Sequence, residues 1–244
     1  FASDLTFRVG VLLLRARVQG PDTGPVLSSL ADEVVSAMLS AVLDAFSARH
    51  GHLPGEGLAV ISYGKWGSGQ LMPGSDLDMV VIYDSEAVDT PSDGTKPLEA
   101  STYAQRLTQR LITALTSETE NGRLYEVDVR LRPDGDKGPL ASQLDGFANY
   151  LMNDAWTWEH MALVSSRCIC GSTALATRFE QIRASALTKP RKIEGLAEAV
   201  DSMRHRMAAT FKGESPWDVK YRRGGLVDTG FISQFLVLAH AASV

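Results

Sequence analysis

The 244 residues carry 24 Lys plus Arg against 29 Asp plus Glu, a formal charge of -5, and 44% are hydrophobic, which is the composition of a soluble globular protein long enough for one large domain or two small ones. The acidic balance argues against a non-specific nucleic-acid binder, which offers phosphates a broad cationic surface, and favours a protein or small-molecule substrate. Cys168 and Cys170 are separated by one residue, with no second pair and no histidine cluster nearby; this suits neither a disulfide nor a four-ligand zinc site, and free thiols in the reducing cytoplasm are expected.

In chain order, the apolar run at residues 9–14 is too short to cross a bilayer, and no membrane span is expected. The chain does not start with Met, which suggests a piece of a longer polypeptide. Between residues 27 and 49 apolar side chains recur at three- and four-residue intervals, including Leu27, Leu30, Val34, Val35, Met38 and Phe46. That spacing predicts a long amphipathic helix ending at Gly51, with Pro54 keeping the next segment out of helix. Residues 58–63 read as a buried strand, followed by the turn Gly64-Lys65-Trp66-Gly67-Ser68-Gly69. A second strand is expected from 76 to 83, apolar on both faces and therefore interior to the sheet. Residues 84–97 are rich in Asp, Ser, Thr, Pro and Gly and read as a loop, and 100–116 as a helix.

The third expected strand, 123–132, alternates Tyr125, Val127, Val129 and Leu131 with Glu126, Asp128, Arg130 and Arg132, so one face is core and the other is charged. Beyond Pro133 the pattern changes to helices at 144–151, 155–164, 174–187, 193–211 and 227–242, broken around Gly171, Pro190 and residues 213–216. The expected organisation is an α+β part over residues 1–140 and a helical part over 141–244.

The chemistry is concentrated in Gly64-Lys65-Trp66-Gly67-Ser68 and Gly74-Ser75-Asp76-Leu77-Asp78. Asp76 and Asp78 alternate onto one face at a strand start, where two carboxylates repel unless a cation is shared between them. Hard oxygen ligands suit Mg²⁺, and Asp128 offers a third carboxylate from another strand. Taken singly, an Asp-x-Asp pair is more often a solvated strand end or a cap, and a glycine run is often only a tight turn. The ordered combination points to a metal-phosphate site. Arg130 and Arg132 share the face of Asp128 and are candidates for orienting phosphate oxygens, against the alternative of surface ion pairs. Lys65 is placed either near a leaving pyrophosphate or in water.

These residues resemble the nucleotidyltransferase superfamily signature, a glycine turn followed by a paired acidic motif and a third acidic strand residue. A closer resemblance is to the bifunctional glutamine synthetase adenylyltransferase and adenylyl-removing enzymes. It is carried by residues 122–133 (Gly-Arg-Leu-Tyr-Glu-Val-Asp-Val-Arg-Leu-Arg-Pro), 155–160 (Ala-Trp-Thr-Trp-Glu-His), 203–207 (Met-Arg-His-Arg-Met) and 224–228 (Gly-Gly-Leu-Val-Asp), and it extends from about Leu27 onward. It implies a nucleotidyltransferase fold with a small mixed sheet flanked by helices and a helical C-terminal subdomain. It also implies Mg²⁺ on Asp76, Asp78 and Asp128, and a nucleotide-phosphate cradle including Gly64 and Ser75.

The implied reaction moves AMP from ATP to a tyrosine hydroxyl of glutamine synthetase, with pyrophosphate leaving and Asp128 doubling as base, in the regulation of nitrogen assimilation. The motifs at 122–133 and 155–160 are similar to the adenylylating half rather than the removing half, whose reaction is phosphorolysis of adenylyl-tyrosine. A nitrogen-signalling regulatory protein is an expected partner through regions outside this chain. Trp156, Trp158 and Trp217 are candidates for docking the protein substrate, or core residues, and Glu159 for facing the cleft. Two departures from the family pattern stand out: Gly230 replaces a glutamate, and Ser165-Ser166 replaces Arg-Ala. They keep open a non-catalytic docking module as the rival reading from another class; a nucleic-acid nucleotidyltransferase, the other rival, lacks the basic stripe it would need.

Overall fold

The computed structural model describes residues 2–84, 90–120, 122–211, 215 and 217–243. The chain divides into two compact units, Phe1–Tyr150 with Ser165–Glu180, and Leu151–Val164 with Gln181–Val244.

The first unit is α+β. It contains helices α1 (Ala2–Leu14), α2 (Gly20–His50), the single turn α3 (Gly64–Gly67) and α4 (Ala100–Thr116), the strands β1 (Leu58–Ser62), β2 (Leu77–Tyr83), β3 (Val127–Asp128), β4 (Ala141–Gln143) and β5 (Arg167–Gly171), and the first residues of α5 (Leu144–Asn153) and α7 (Thr173–Leu187). The sheet is mixed. β1 lies antiparallel between β2 and β5, while β3 and β4 both run parallel to β2, at its start and its end respectively. β2 is therefore interior, as its apolar faces require: Leu77, Met79 and Val81 are buried, and so are Val80 and Ile82.

The core on one face of the sheet is made by α2 and α4, whose stripes bring Leu27, Ala31, Val35, Leu39 and Phe46 against Tyr103, Leu107 and Leu111. α2 starts seven residues before the expected Leu27, despite Pro21 and Pro25. Pro21 sits in the first turn, where its missing N–H has no partner to lose. The Asp22 carboxylate accepts the Gln19 N–H at 3.4 Å, and Gly24 lies against the Gln70 backbone, where a Cβ would approach the Gln70 Cα to 2.9 Å. By length and composition α2 and the segment Leu226–Ser243 could each cross a membrane. In α2, however, the apolar stripe is used in the core.

The expected strand at 123–132 is reduced to two residues. The alternation of faces persists, with Tyr125, Val127 and Val129 packed against the core. The ladder stops because the Asp128 side chain captures the Arg130 N–H at 2.8 Å, and the chain then turns through Asp134, at φ 61°, into a short 3₁₀ turn, Gly135–Lys137. β4 and β5 were not anticipated as strands; both are short, and β5 pairs with β1 through a bulge between Val60 and Ile61. Of the loop expected at 84–97, residues 85–89 lie outside the described residues, as do 213, 214 and 216 of the break expected at 213–216. The described part of that loop is anchored: the Gly94 N–H donates to the His50 carbonyl, and Asp93 Oδ1 accepts the His52 N–H at 2.7 Å.

The described elements of the second unit are helical: α6 (Thr157–Leu163), the last residues of α7, α8 (Ile193–Thr210), α9 (Leu226–His240) and a 3₁₀ turn, Ala241–Ser243. Glu159 caps its own helix, accepting the Trp156 N–H at 2.8 Å, while the Trp156 ring is exposed. In the two remaining family-like motifs Arg204 pairs with Asp228, and Asp228 also accepts the Gly224 N–H at the start of α9. α9 leaves Leu226, Ile232, Leu236 and Val237 exposed.

Phe46 anchors the α2–α4 contact, with Tyr103 edge-on at 4.8 Å, His50 at 4.5 Å and the Arg110 guanidinium 4.9 Å from its ring centre. Phe46→Ala is expected to destabilise the protein by about 3–5 kcal/mol in urea unfolding. Gly230 has open space where a Cβ would point, so Gly230→Ala is expected to stabilise α9 by about 0.5–1 kcal/mol in the same assay.

Candidate active site

The parallel pairing of β2 with β3 sets Leu77 opposite Val127 and Asp78 opposite Asp128. Residues in register on parallel strands point to the same face, so this pairing alone places two carboxylates side by side. Asp76, two residues before Asp78, projects the same way from the turn that opens β2. Carboxylate oxygens of Asp76, Asp78 and Asp128 all lie within 4.8 Å of one another. Asp76 is exposed and the other two are partly buried.

Like charges at this separation are unfavourable in a partly desolvated site, and the titration of Asp78 registers the cost. Its own burial, then the charges of Asp76 and Asp128, push it up to about 6. Asp128 moves the other way. Its carboxylate accepts Arg130 Nε at 2.9 and 3.0 Å together with the Arg130 Nη2 and backbone N–H groups, and these bonds hold it below the usual carboxylate range.

Gly64 completes the geometry. It opens α3 at φ 58°, and a Cβ there would collide with Asp78 Oδ2. Only glycine brings the backbone this close to the carboxylate. Lys65 follows it with an exposed side chain whose charge partly offsets that of Asp78. Ser75 shapes the turn before Asp76, with its Oγ accepting the Met72 N–H at 3.2 Å. Arg132 is placed differently from Arg130. Its guanidinium is buried on the Val129 carbonyl at 2.6 Å and the Gly138 carbonyl at 3.2 Å, and its charge reaches Asp128.

A cleft of about 630 Å³ opens at Asp76 and Asp128, lined also by Gly74, Glu126, Arg130 and Asp136, with Asp78 behind them. Asp136 went unrecognised in the sequence, because the 3₁₀ turn that carries it is three residues long and has no periodicity to assign its face. A larger cavity of about 940 Å³ lies within the second unit, between α8 and α9. Its walls are mainly apolar, and the convergent acids are at the smaller cleft, so the chemistry is assigned there.

Three convergent oxygen donors, their mutual repulsion only partly offset by Arg130 and Lys65, fit a hard divalent cation such as Mg²⁺, and among the described residues no nitrogen or sulfur ligand for zinc joins them. In the cation-free protein the raised Asp78 is a stability liability. A carboxylate that titrates near 6 when folded and near 3.8 when unfolded contributes its stability below pH 4 and loses it as pH rises through 6. Asp78→Asn is therefore expected to stabilise the cation-free protein at pH 7 by about 1–2 kcal/mol, after allowance for solvent screening. Chemical denaturation in EDTA at pH 7 and pH 4 measures this, and the gain should vanish at the lower pH.

Comparison with known proteins agrees with the motifs. The family model described as glutamate-ammonia ligase adenylyltransferase matches residues 1–182. Among curated relatives, proteins named bifunctional glutamine synthetase adenylyltransferase/adenylyl-removing enzyme are 42% identical over 244 residues in Bradyrhizobium sp. strain ORS 278 and 43% identical over 241 residues in Rhizobium meliloti strain 1021. A relative of the same name from Brucella suis biovar 1 is 43% identical over 239 residues. These alignments cover 98–100% of this chain and 24–25% of each relative, so the chain spans about a quarter of their length. With three-quarters of its residues inside the family model and the convergent carboxylates among them, the chain belongs to the glutamate-ammonia ligase adenylyltransferase family.

Proposed function

We propose that this chain is a nucleotidyltransferase-fold domain that transfers AMP from ATP to a tyrosine hydroxyl of glutamine synthetase, acting in the cytoplasm to regulate nitrogen assimilation. The convergence of Asp76, Asp78 and Asp128 beside the Gly64 turn is the observation that carries this reading. The printed names of the relatives supply the protein substrate. The unbridged thiols of Cys168 and Cys170 fit a reducing compartment, and burial pushes them up to about 11 and about 12, which leaves them poorly reactive.

In this reading Asp76, Asp78 and Asp128 hold Mg²⁺, which when bound favours the phenolate and polarises the α-phosphoryl oxygen. The phenol oxygen forms its bond to the α-phosphorus as the bond to the bridging α–β oxygen breaks and pyrophosphate leaves. Gly64 presents bare backbone where the polyphosphate approaches, and Ser75 shapes the neighbouring turn. Lys65 adds positive charge near Asp78. Arg130, with its side chain 70% exposed, has the reach to exchange Asp128 for a phosphate oxygen, and Arg132 holds the following loop. The Arg130 contact also governs Asp128 as a base: while it persists Asp128 binds protons weakly, and its release raises the affinity for the tyrosine proton.

The names of the relatives include adenylyl removal, which the same carboxylates would serve with orthophosphate as the attacking group. Incubating the chain with unmodified glutamine synthetase, Mg²⁺ and α-labelled ATP separates the readings. Label on a synthetase tyrosine is expected, with the rate falling at least about 100-fold in Asp76→Asn. Release of ADP from adenylylated synthetase plus orthophosphate, with no forward labelling, would assign the removing activity instead. Silence in both directions would favour a docking module.

A further inference from the structure

We propose that Asp32 and Arg167 are positioning residues that hold the Gly64 turn against Asp78, an inference that rests on reading Asp76, Asp78 and Asp128 as the nucleotide site. α3 is four residues long, far below the ~12–15 at which a helix persists by itself. Its place is set by what grips its two ends. At the front, the Tyr63 N–H donates to the Asp78 carbonyl at 2.9 Å, which ties the turn to β2 beside the acids. At the back, Arg167 of β5 donates to the last carbonyls of α3, Nε to Gly67 at 3.2 Å and Nη2 to Trp66 at 3.3 Å.

The same guanidinium lies fork-on-fork against Asp32 of α2, with Nη1 to Oδ2 at 2.9 Å and Nη2 to Oδ1 at 3.0 Å. Asp32 Oδ1 also accepts the indole N–H of fully buried Trp66 at 2.8 Å. One carboxylate and one guanidinium thus join α2, α3 and β5, and a planar fork specifies orientation in a way an ammonium does not. Gly67 fits closely on the same side, where a Cβ would collide with the Ser165 carbonyl. The turn cannot retreat from Asp78 without breaking these bonds. Both charged side chains remain partly exposed, 36% for Arg167 and 26% for Asp32, so their contribution to stability is small beside their effect on geometry.

The test uses Arg167→Met, Arg167→Lys and Asp32→Asn in the full chain, with three readouts: kcat and KM for ATP in the transfer assay, Mn²⁺ affinity by electron spin resonance, and the ¹⁵N–¹H signals of Gly64, Gly67 and the Trp66 indole. A displaced near-attack geometry of the order of an ångström predicts a fall in kcat of about 10- to 100-fold in Arg167→Met. Mn²⁺ affinity should stay within about twofold, because Asp78 and Asp128 belong to β2 and β3 and Asp76 to the turn before β2, outside the elements that the pair joins. The Gly64 signal should shift, and Arg167→Lys should recover only part of the rate. Unchanged kcat and an unmoved Gly64 signal in Arg167→Met and Asp32→Asn would overturn the inference while leaving the transfer assignment intact. A parallel loss of kcat and Mn²⁺ affinity would overturn it too, by showing a general loss of structure. If the wild-type chain transfers no AMP, the functional reading fails by itself, and the Gly64 signal with the Mn²⁺ affinity still decides whether the pair holds the turn.

Discussion

The register between β2 and β3 is the constraint on which the candidate site depends. Two residues of parallel pairing, Leu77 with Val127 and Asp78 with Asp128, place one carboxylate beside another, and the turn that opens β2 brings Asp76 to them. A slip of one residue would turn Asp128 toward the core and Val127 toward the acids. Such a slip is opposed by Val127, which packs on the core side, and by Tyr125 and Val129 on the same face. The hydrophobic face of β3 therefore maintains an electrostatically unfavourable arrangement on its other face. The energy to do so comes from the surrounding core, where β1 and β2 are buried on both faces.

The charges around the three acids are distributed unequally, and that inequality is chemically useful. Arg130 satisfies Asp128, whereas burial first and then the charges of Asp76 and Asp128 push Asp78 up, so one carboxylate titrates low and its neighbour at about 6. The proposed cation would relieve this unfavourable energy. The Gly64 turn then limits what else can approach, because its backbone already lies against Asp78 and admits no side chain. Backbone, carboxylates and an exposed arginine lie together in one compact arrangement, as the proposed phosphate chemistry would require.

Much of this was legible in the sequence because it depends on period. The alternation from Tyr125 to Arg132 assigned Asp128 to the charged face, and Asp76-x-Asp78 at a strand start needed only the pleat to become a pair. The spacing of α4 and the apolar run of β2 were equally direct. Other features follow from partners remote in sequence. Arg132 shares a face with Arg130 on paper, yet the chain turns after Asp128 and its guanidinium ends on the carbonyls of Val129 and Gly138. The start of α2 was obscured by Pro21 and Pro25, whose effect depends on their place in the first turns. Asp32 stands in no motif that the sequence offers; only the fold brings it to Arg167, 135 positions away. β4 is too short to carry a periodic signal, and β5, Arg-Cys-Ile-Cys-Gly, is as long as β1 but lacks its apolar run.

The central claim is that Asp76, Asp78 and Asp128 form one cation and nucleotide site. A crystal structure of the chain grown with Mn²⁺ and a non-hydrolysable ATP analogue tests it most directly, since the anomalous signal of manganese locates the ion independently of any assumed chemistry. The account predicts an anomalous peak within coordination distance of all three carboxylates, the α-phosphate beside it and Arg130 drawn away from Asp128. Nucleotide and ion bound elsewhere, with Arg130 still on Asp128 and no peak among the acids, would contradict it.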